Sequence, residues 1–208
     1  AQVGQENSFG WPAMAEGLTD QMRFLAQRRA EGKVRVETLA DSAQWFRKQF
    51  PLTPATAVTA FEDWRGGSRR SLWYDSRFYR SNLFWEGGQF RIRDIHLFDE
   101  RYPERYLNAV VTSSACTYDT LPALDGFSWS TPGAIAGLRP VWIAEDGART
   151  PFTGENPTAQ STAADRMEVR WPVEHGALRI MLTPSEMAFS VVDAPEPSPG
   201  WALLLSWS

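Results

Sequence analysis

The sequence is poor in the two residue types that most often form cross-links or bind transition metals. Cys116 is the only cysteine among 208 residues, so no disulfide forms within the chain. This excludes the small secreted scaffolds that depend on disulfide bonds, although the sequence indicates no particular cellular compartment. His96 and His175 are the only histidines, and a metal site built from several histidines is therefore excluded as well.

Motifs that bind nucleotides or catalytic metals are also missing. The sequence contains no glycine-rich dinucleotide loop, no phosphate-binding loop that ends in Gly-Lys-Ser/Thr, and no Cys-x-x-Cys, His-Glu-x-x-His or Gly-x-Ser-x-Gly motif. These motifs supply the turns, nucleophiles and ligands of nucleotide-dependent enzymes and zinc hydrolases. We therefore predict no cofactor and no metal site.

Long hydrophobic runs and an excess of basic charge are absent too. The longest apolar run, Trp201–Leu205, is far shorter than the ~20 residues that a membrane-spanning helix needs. The 21 Lys and Arg residues are outnumbered by 25 Asp and Glu residues, which gives a net charge of -4. A mildly anionic chain has no general attraction for phosphate backbones, so we predict that neither nucleic acid nor a membrane is a partner.

Two residue types are unusually frequent. Lys33 and Lys48 are the only lysines, so nearly all basic residues are arginine, whose planar guanidinium binds carboxylates through paired hydrogen bonds. A GC-rich genome also enriches arginine, so the composition leaves both explanations open. The chain has ten tryptophans, and a tryptophan either fills a core or forms a flat apolar surface for a ligand.

Residues 1–54 have the pattern of a helical segment. Apolar residues recur at helical spacing and predict one amphipathic helix, through Met14, Leu18, Met22 and Leu25. Gly32 predicts the end of this helix, Val34–Val36 predicts a short strand, and Thr38 predicts the start of a second helix. A segment of this size buries too little surface to fold alone, so we expect it to pack on the rest of the chain or to be the remnant of a preceding β/α domain. The chain begins with alanine rather than methionine, so it is either a processed chain or a piece of a longer protein, and we expect the second.

Residues 55–208 change to a period of two with frequent turn residues, which predicts a mainly β fold, an antiparallel β-sandwich of about ten strands. The segment Thr150–Asp165 is interpreted as a polar loop. The tail is predicted to be a core strand whose inward face is formed by Trp201, Leu203, Leu205 and Trp207. The predicted strands are 57–61, 71–74, 77–86, 89–98, 107–112, 138–144, 166–171, 177–182, 187–192 and 201–207.

A hairpin is predicted around the dipeptide Gly87–Gly88, which is typical of a two-residue turn. Such a turn places Glu86 opposite Gln89, and counting back along both strands then separates two faces. One face is apolar and should point inward, with Trp85 opposite Phe90 and Leu83 opposite Ile92. The other face carries arginines. A change in the apolar pattern predicts a β-bulge near residues 93–95, beyond which the faces exchange.

The hairpin supplies the candidate ligand-binding residues, which are Arg80, Asn82, Arg91, Arg93 and Trp85. Guanidinium groups donate hydrogen bonds in a fixed geometry to anions or hydroxyl groups, and an aromatic ring contacts the apolar side of a sugar. The alternative for the arginines is a solvated sheet face paired with carboxylates.

Three residues are candidates for catalysis, namely Asp94, His96 and Glu100. Asp94 and His96 are two residues apart on a strand and therefore point to one side, where a carboxylate can orient an imidazole for proton transfer. The alternatives are a buried, hydrogen-bonded structural pair and a role in ligand binding. A carboxylate pair for glycoside hydrolysis could come from the acidic residues near Asp94 and Glu100.

Three segments, Gly32–Arg47, Thr53–Thr56 and Trp73–Arg80, together resemble the C-terminal region of bacterial polysaccharide-deacetylase-like and glycosidase-like proteins. The resemblance implies that residues 1 to about 50 correspond to the end of a β/α catalytic barrel and the remainder to an ancillary β-sandwich. The metal-binding Asp and His motifs of a deacetylase barrel are not in this sequence, so the resemblance implies no catalytic residue here.

The function that we expect is an ancillary β-sandwich module of a carbohydrate-active protein, which binds a glycan or supports a preceding catalytic domain. One alternative is a small glycoside hydrolase or lyase that uses carboxylates near Asp94 and Glu100. A second alternative is a purely structural interaction domain.

Overall fold

A computed structural model of the chain describes residues 10–63, 65–99, 101–102, 108–110, 112–113 and 121–207. The chain divides into two compact units, residues 1–51 and residues 52–208. In the described ranges the first unit contains two helices, and the second contains twelve strands in two antiparallel sheets. The prediction of a mainly β fold with a helical segment near the N-terminus is therefore confirmed.

The helical unit consists of α1 (Trp11–Ala30) and α2 (Leu39–Gln49). The helix ends follow the sequence signals, since Gly32 has a φ of 72° just after α1 and the Thr38 hydroxyl accepts a hydrogen bond of 3.1 Å from the backbone N–H of Asp41. The strand predicted at Val34–Val36 is wrong, because these residues form an irregular connection. An isolated three-residue strand has no sheet neighbour to complete its backbone hydrogen bonds.

The second unit is built entirely from antiparallel pairs of strands. Its strands are β1 (Thr56–Ala60), β2 (Arg70–Asp75), β3 (Tyr79–Glu86), β4 (Gln89–Leu97), β5 (Leu121–Asp125), β6 (Gly137–Ile143), β7 (Arg149–Pro151), β8 (Thr158–Ala163), β9 (Arg166–Val173), β10 (Gly176–Thr183), β11 (Glu186–Val192) and β12 (Gly200–Ser206). The first sheet has the order β1-β2-β3-β4-β6-β12, with β5 beside β4 and β7 beside β6. The second sheet has the order β11-β10-β9-β8.

One hydrophobic core joins the two sheets into a sandwich. The Phe90 ring of the first sheet lies 5.7 Å from the Trp171 ring of the second. The fully buried aliphatic residues of the core come from both sheets and include Leu72, Leu83, Ile92, Leu178, Ile180 and Leu182. The apolar side of the predicted hairpin, with Trp85 and Phe90 almost fully buried, faces this core as the alternation predicts.

Two predictions for loops and strands are corrected. The segment Thr150–Asp165 is not simply a loop, because it contains the end of β7 and all of β8. β8 is an edge strand that is exposed along most of its length, so it lacks the apolar alternation that marks a half-buried strand. In the predicted strand Leu107–Thr112, residues 108–110 and 112 are not in a strand, and residues 107 and 111 lie outside the described residues.

The tail forms a strand, β12, but the predicted apolar inward face is wrong. Trp201 and Leu203 are half-buried, whereas Leu205 is 44% exposed and Trp207 is 63% exposed. Among the described strands, β12 lies at the edge of the first sheet and pairs only with β6. Alternation predicts which side chains share a face, but it does not show how far along the strand the opposite sheet covers that face.

Hydroxyl groups of the first sheet bind turns of the second sheet. The Tyr74 hydroxyl donates to the carbonyl of Asp165 at 2.7 Å, and the Tyr79 hydroxyl donates to the carbonyl of Thr183 at 2.8 Å. Burial raises the pKa of Tyr74 to about 12 and also raises the pKa of Tyr79. These phenols are therefore held in their uncharged, donating form by the fold.

We predict that the sandwich loses stability in alkaline solution as these tyrosines ionise. An ordinary phenol has a pKa of about 10, so the unfolded chain releases these protons at a lower pH than the folded chain does. Their stabilisation is complete below about pH 10 and is lost as the pH rises toward the folded pKa of Tyr74, about 12. Urea unfolding between these values should show the free energy of unfolding falling with pH.

The double variant Tyr74→Phe/Tyr79→Phe is the matched control. It should be less stable at neutral pH by about 1–3 kcal/mol for each carbonyl left without its donor. Its free energy of unfolding should also fall less with pH than that of the wild type. An equally steep alkaline loss in the variant would contradict this assignment.

Candidate functional site

The hairpin formed by β3 and β4 positions the candidate residues, and its tip has the predicted geometry. Gly87 and Gly88 have φ values of 57° and 75°, and positive φ at both central residues defines a type I′ turn. Glu86 stands opposite Gln89, and Leu83 stands opposite Ile92. The predicted register is therefore confirmed near the turn.

A β-bulge interrupts the hairpin at Arg93, within the region where the sequence predicts one. Leu83 pairs with Ile92 and Asn82 pairs with Asp94, so Arg93 is the extra residue. Beyond the bulge the uninterrupted pairing is wrong, and Arg80 stands opposite His96 instead of Ile95. A bulge increases the local twist and redirects side chains, and here it places Asp94 opposite Asn82, on the same side of the sheet as Arg93.

Asp94 anchors this bulge. Its carboxylate is almost fully buried, accepts a hydrogen bond of 2.6 Å from Nε of Arg93, and accepts another of 3.1 Å from the backbone N–H of Gly126. Gly126 lies so close to the bulge that a Cβ there would be 2.5 Å from the carbonyl oxygen of Arg93. The turn after β5 thus stabilises the bulge through the hydrogen bond from Gly126 and through close packing against Arg93.

Arginine and aromatic side chains alternate across this side of the sheet. We call this set the arginine surface, and its members are Trp73, Arg80, Phe84, Arg91, Arg93 and Arg139. The guanidinium carbons of Arg80 and Arg93 lie 5.2 and 5.5 Å from the centre of the Trp73 ring. Those of Arg91 and Arg93 lie 5.2 and 5.6 Å from the centre of the Phe84 ring. Each ring therefore holds two guanidiniums within cation–π distance.

Asn82 lies on the same side of the sheet and is completely buried. Its amide Nδ2 donates to Oγ of Ser71 at 2.8 Å and to the carbonyl of Leu72 at 3.3 Å. Among the described residues, its Oδ1 has no hydrogen-bond partner. Asn82 therefore links β3 to β2 through hydrogen bonds. The arginines and aromatic rings form the part of this side of the sheet that a ligand can reach.

The charge of the arginine surface is only partly neutralised. Arg93 pairs with Asp94, but in the described part of the chain neither Arg91 nor Arg139 pairs with a carboxylate. Burial lowers the pKa of Arg91, and the positive charges of Arg139 and Arg93 lower it further. Burial likewise lowers the pKa of Arg139. The charges of Glu86 and Asp94 partly offset this effect for Arg91, but among the described residues neither of the two half-buried cations forms an ion pair with a carboxylate.

An open cleft of about 180 Å³ lies beside these two arginines. Arg91 enters it from β4 and Arg139 from β6, and the remaining lining residues are Phe84, Glu86, Gln89, Phe90 and Ile135. Gly137 allows this arrangement, because a Cβ on Gly137 would lie 3.0 Å from Cδ of Arg91. The cleft combines two cationic donors with apolar walls.

The structure does not bring all of the sequence candidates together. Trp85 lies on the core side, where it is 2% exposed, and so it is separated from the arginines. His96 is near Asp125, whose pKa is lowered by hydrogen bonds from Ser128 and, to a smaller degree, by His96. Asp94 bonds to Arg93 and Gly126, and Glu100 lies outside the described residues.

The described residues contain no group of three or more His, Cys, Asp or Glu side chains that could hold a metal ion. Within the same ranges, no helix is long and apolar enough to cross a membrane.

Three members of the surface were not among the sequence candidates, namely Trp73, Phe84 and Arg139. The hairpin register already places Phe84 opposite Arg91, so the sequence contained a signal for this ring. Trp73 and Arg139 come from β2 and β6, which lie on either side of the hairpin. β6 has no tight turn to the hairpin, so the sequence gives no register for Arg139, whereas β2 is joined to β3 by the short turn 76–78 and Trp73 stands opposite Asn82.

Comparisons of the chain with protein-family models, with curated proteins and with solved structures give no match. The resemblance to polysaccharide-deacetylase-like proteins therefore stays a prediction.

Proposed function

We propose that the β-sandwich binds carbohydrate through the arginine surface and serves as an ancillary module of a carbohydrate-active protein. The observation that carries this proposal is the alternation of arginines with Trp73 and Phe84, which holds three guanidiniums at defined positions. A guanidinium that is already held loses less conformational freedom when it binds, so preorganised donors favour affinity.

The chemistry of the surface suits a polyhydroxylated ligand. Each guanidinium offers several N–H donors in a fixed plane, and sugar hydroxyls and carboxylates are acceptors. The rings of Trp73 and Phe84 already stack against guanidiniums, so their main role is to position donors rather than to serve as bare platforms for a sugar ring. The apolar walls of the cleft remain for the carbon side of a sugar.

The burial and hydrogen bonds of the Asp94 carboxylate favour a binding function over a hydrolytic one. A general acid or nucleophile must reach the scissile bond, whereas the carboxylate of Asp94 is buried and is bound by Arg93 and by the backbone of Gly126. We therefore assign Asp94 a structural role in holding the arginine surface together.

Affinity electrophoresis through gels that contain single polysaccharides tests the proposal. The wild-type protein should be retarded by at least one polysaccharide, and Arg80→Ala/Arg91→Ala should be retarded about tenfold less, because both substitutions remove donors from the surface. Arg93 is left unchanged, since its guanidinium neutralises buried Asp94. The melting temperature should change little, because a half-exposed cation–π contact contributes only about 0.5–1 kcal/mol.

The matched control is Arg166→Ala/Arg179→Ala, which removes two exposed arginines from the second sheet and should bind like the wild type. No retardation by any polysaccharide in the panel, with activity also absent, would favour a purely structural interaction domain. Equal retardation of the wild type and both double variants would show that the polysaccharide binds outside the arginine surface.

A further inference from the structure

The most unusual feature of the arginine surface is that its positive charge is only partly compensated in a chain with a net charge of -4. The carboxylates that lie nearest are already engaged, since Glu86 pairs with Arg69 at 2.7 Å and Asp94 pairs with Arg93 at 2.6 Å. Glu86 also lines the cleft, and the charges of Glu86 and Asp94 raise the pKa of Arg91, but in the described part of the chain neither carboxylate forms an ion pair with Arg91 or Arg139. Like charges in a half-buried site repel each other more strongly than in water, so an anion there would be stabilised by both.

Contacts with neighbouring protein groups hold both guanidiniums in position. Arg139 donates to the carbonyl of Ile135 at 2.9 Å and also to the hydroxyl of Ser206. The guanidinium carbon of Arg91 lies 5.2 Å from the centre of the Phe84 ring, and its buried Nε has no hydrogen-bond acceptor among the residues that the structure describes. The cleft therefore contains two cationic side chains that contacts with Ile135, Ser206 and Phe84 hold in position.

The size of the cleft limits what it can hold. Its volume of about 180 Å³ is below the ~300–1,000 Å³ of pockets that enclose a whole drug-sized ligand. It suits one charged group on a single sugar, with the rest of the chain extending over open surface. A planar carboxylate matches the guanidinium fork through two parallel hydrogen bonds.

We propose that the carbohydrate bound by the sandwich is acidic, and that a carboxylate of a sugar acid lies in the cleft between Arg91 and Arg139. This inference rests on the proposed carbohydrate binding and adds the class of sugar. Binding should weaken with ionic strength, because the contact is between charges at a partly exposed site.

The test compares four polymers by isothermal titration calorimetry with the full chain: polygalacturonate, the same polymer after reduction of its carboxyl groups to alcohols, neutral galactan and dextran sulfate. Polygalacturonate should bind, and carboxyl reduction should weaken binding by at least about tenfold. In Arg91→Gln/Arg139→Gln the acidic and reduced polymers should bind equally weakly, whereas Arg179→Gln should retain the wild-type difference. Circular dichroism verifies that each variant is folded.

Each other outcome overturns a defined part of the account. Equal binding of acidic and reduced polymers by the wild type would contradict the carboxylate while leaving carbohydrate binding in place. Binding of dextran sulfate alone would assign the cleft to sulfate. Absence of binding to all four polymers, together with a negative result in the wider polysaccharide panel, would remove both the acidic ligand and the proposed function.

Discussion

Replacing Trp171 with alanine is expected to lower the free energy of unfolding of the sandwich by about 3–5 kcal/mol. Trp171 is fully buried in the second sheet, stands opposite Leu178 and contacts the Phe90 ring of the first sheet. Its removal leaves a cavity where the two sheets meet. Domains are stabilised by only about 5–15 kcal/mol, so this one change removes a large fraction of the total. Thermal denaturation followed by circular dichroism should show a melting temperature lower by roughly 10 °C.

Trp207→Ala is the matched control, because it removes the same side chain from a position that is 63% exposed. Its melting temperature should stay close to that of the wild type, since surface substitutions usually change stability by no more than ~0.5 kcal/mol. Similar losses in both variants would show that the tail belongs to the core after all. A Trp171→Ala protein that melts like the wild type would contradict the position of Trp171 in the core.

Asp94→Ala is expected to have the second largest effect, on the order of 3 kcal/mol, at the lower end for breaking a buried ion pair. The substitution leaves Arg93 without its carboxylate and the backbone N–H of Gly126 without its acceptor. Because both groups belong to the bulge and its supporting turn, the arginine surface should lose its order along with stability. Urea unfolding measures the first effect, and affinity for the best polysaccharide measures the second.

The control for this prediction is Asp99→Ala. Asp99 also pairs with an arginine, Arg101, but this pair is exposed, and exposed ion pairs contribute little. Asp99→Ala should therefore leave both unfolding and binding almost unchanged. The variant Asp94→Asn keeps an acceptor for Gly126 and should fall between the wild type and Asp94→Ala. Full stability and affinity in Asp94→Ala would show that the bulge does not depend on this carboxylate.

Local signals predicted the parts of the fold that depend on neighbouring residues. The Gly87–Gly88 turn fixed the register of the first four pairs of the hairpin, because a two-residue turn leaves no freedom in the pairing. The change of apolar phase after Ile92 predicted the bulge. The helix signals at Gly32 and Thr38 were sufficient for the same reason, since helix caps involve residues only a few positions apart.

Features that depend on distant strands could not be derived in this way. Arg139 joins Arg91 only because β6 lies next to β4, although more than forty residues separate the two positions. The sequence gives no register for such a pair, and Arg139 was therefore missed. Trp73 stands opposite Asn82 on the adjacent strand across the short turn 76–78, so its absence from the candidates does not have this cause. The exposure of Trp207 and Leu205 has a similar cause. How far the opposite sheet extends decides which side chains of a strand are buried, and the alternation of residues within one strand does not predict that extent.

The most direct test of the account is to follow the arginine side chains themselves during binding. Two-dimensional NMR of the Nε–Hε groups, with each signal assigned by single substitution, reports contacts of individual guanidiniums as polygalacturonate fragments are added. The account predicts that the signals of Arg91 and Arg139 shift most, that those of Arg80 and Arg93 shift less, and that Arg166 and Arg179 of the second sheet do not move. Saturable shifts confined to the second sheet, or none at the arginine surface, would contradict it.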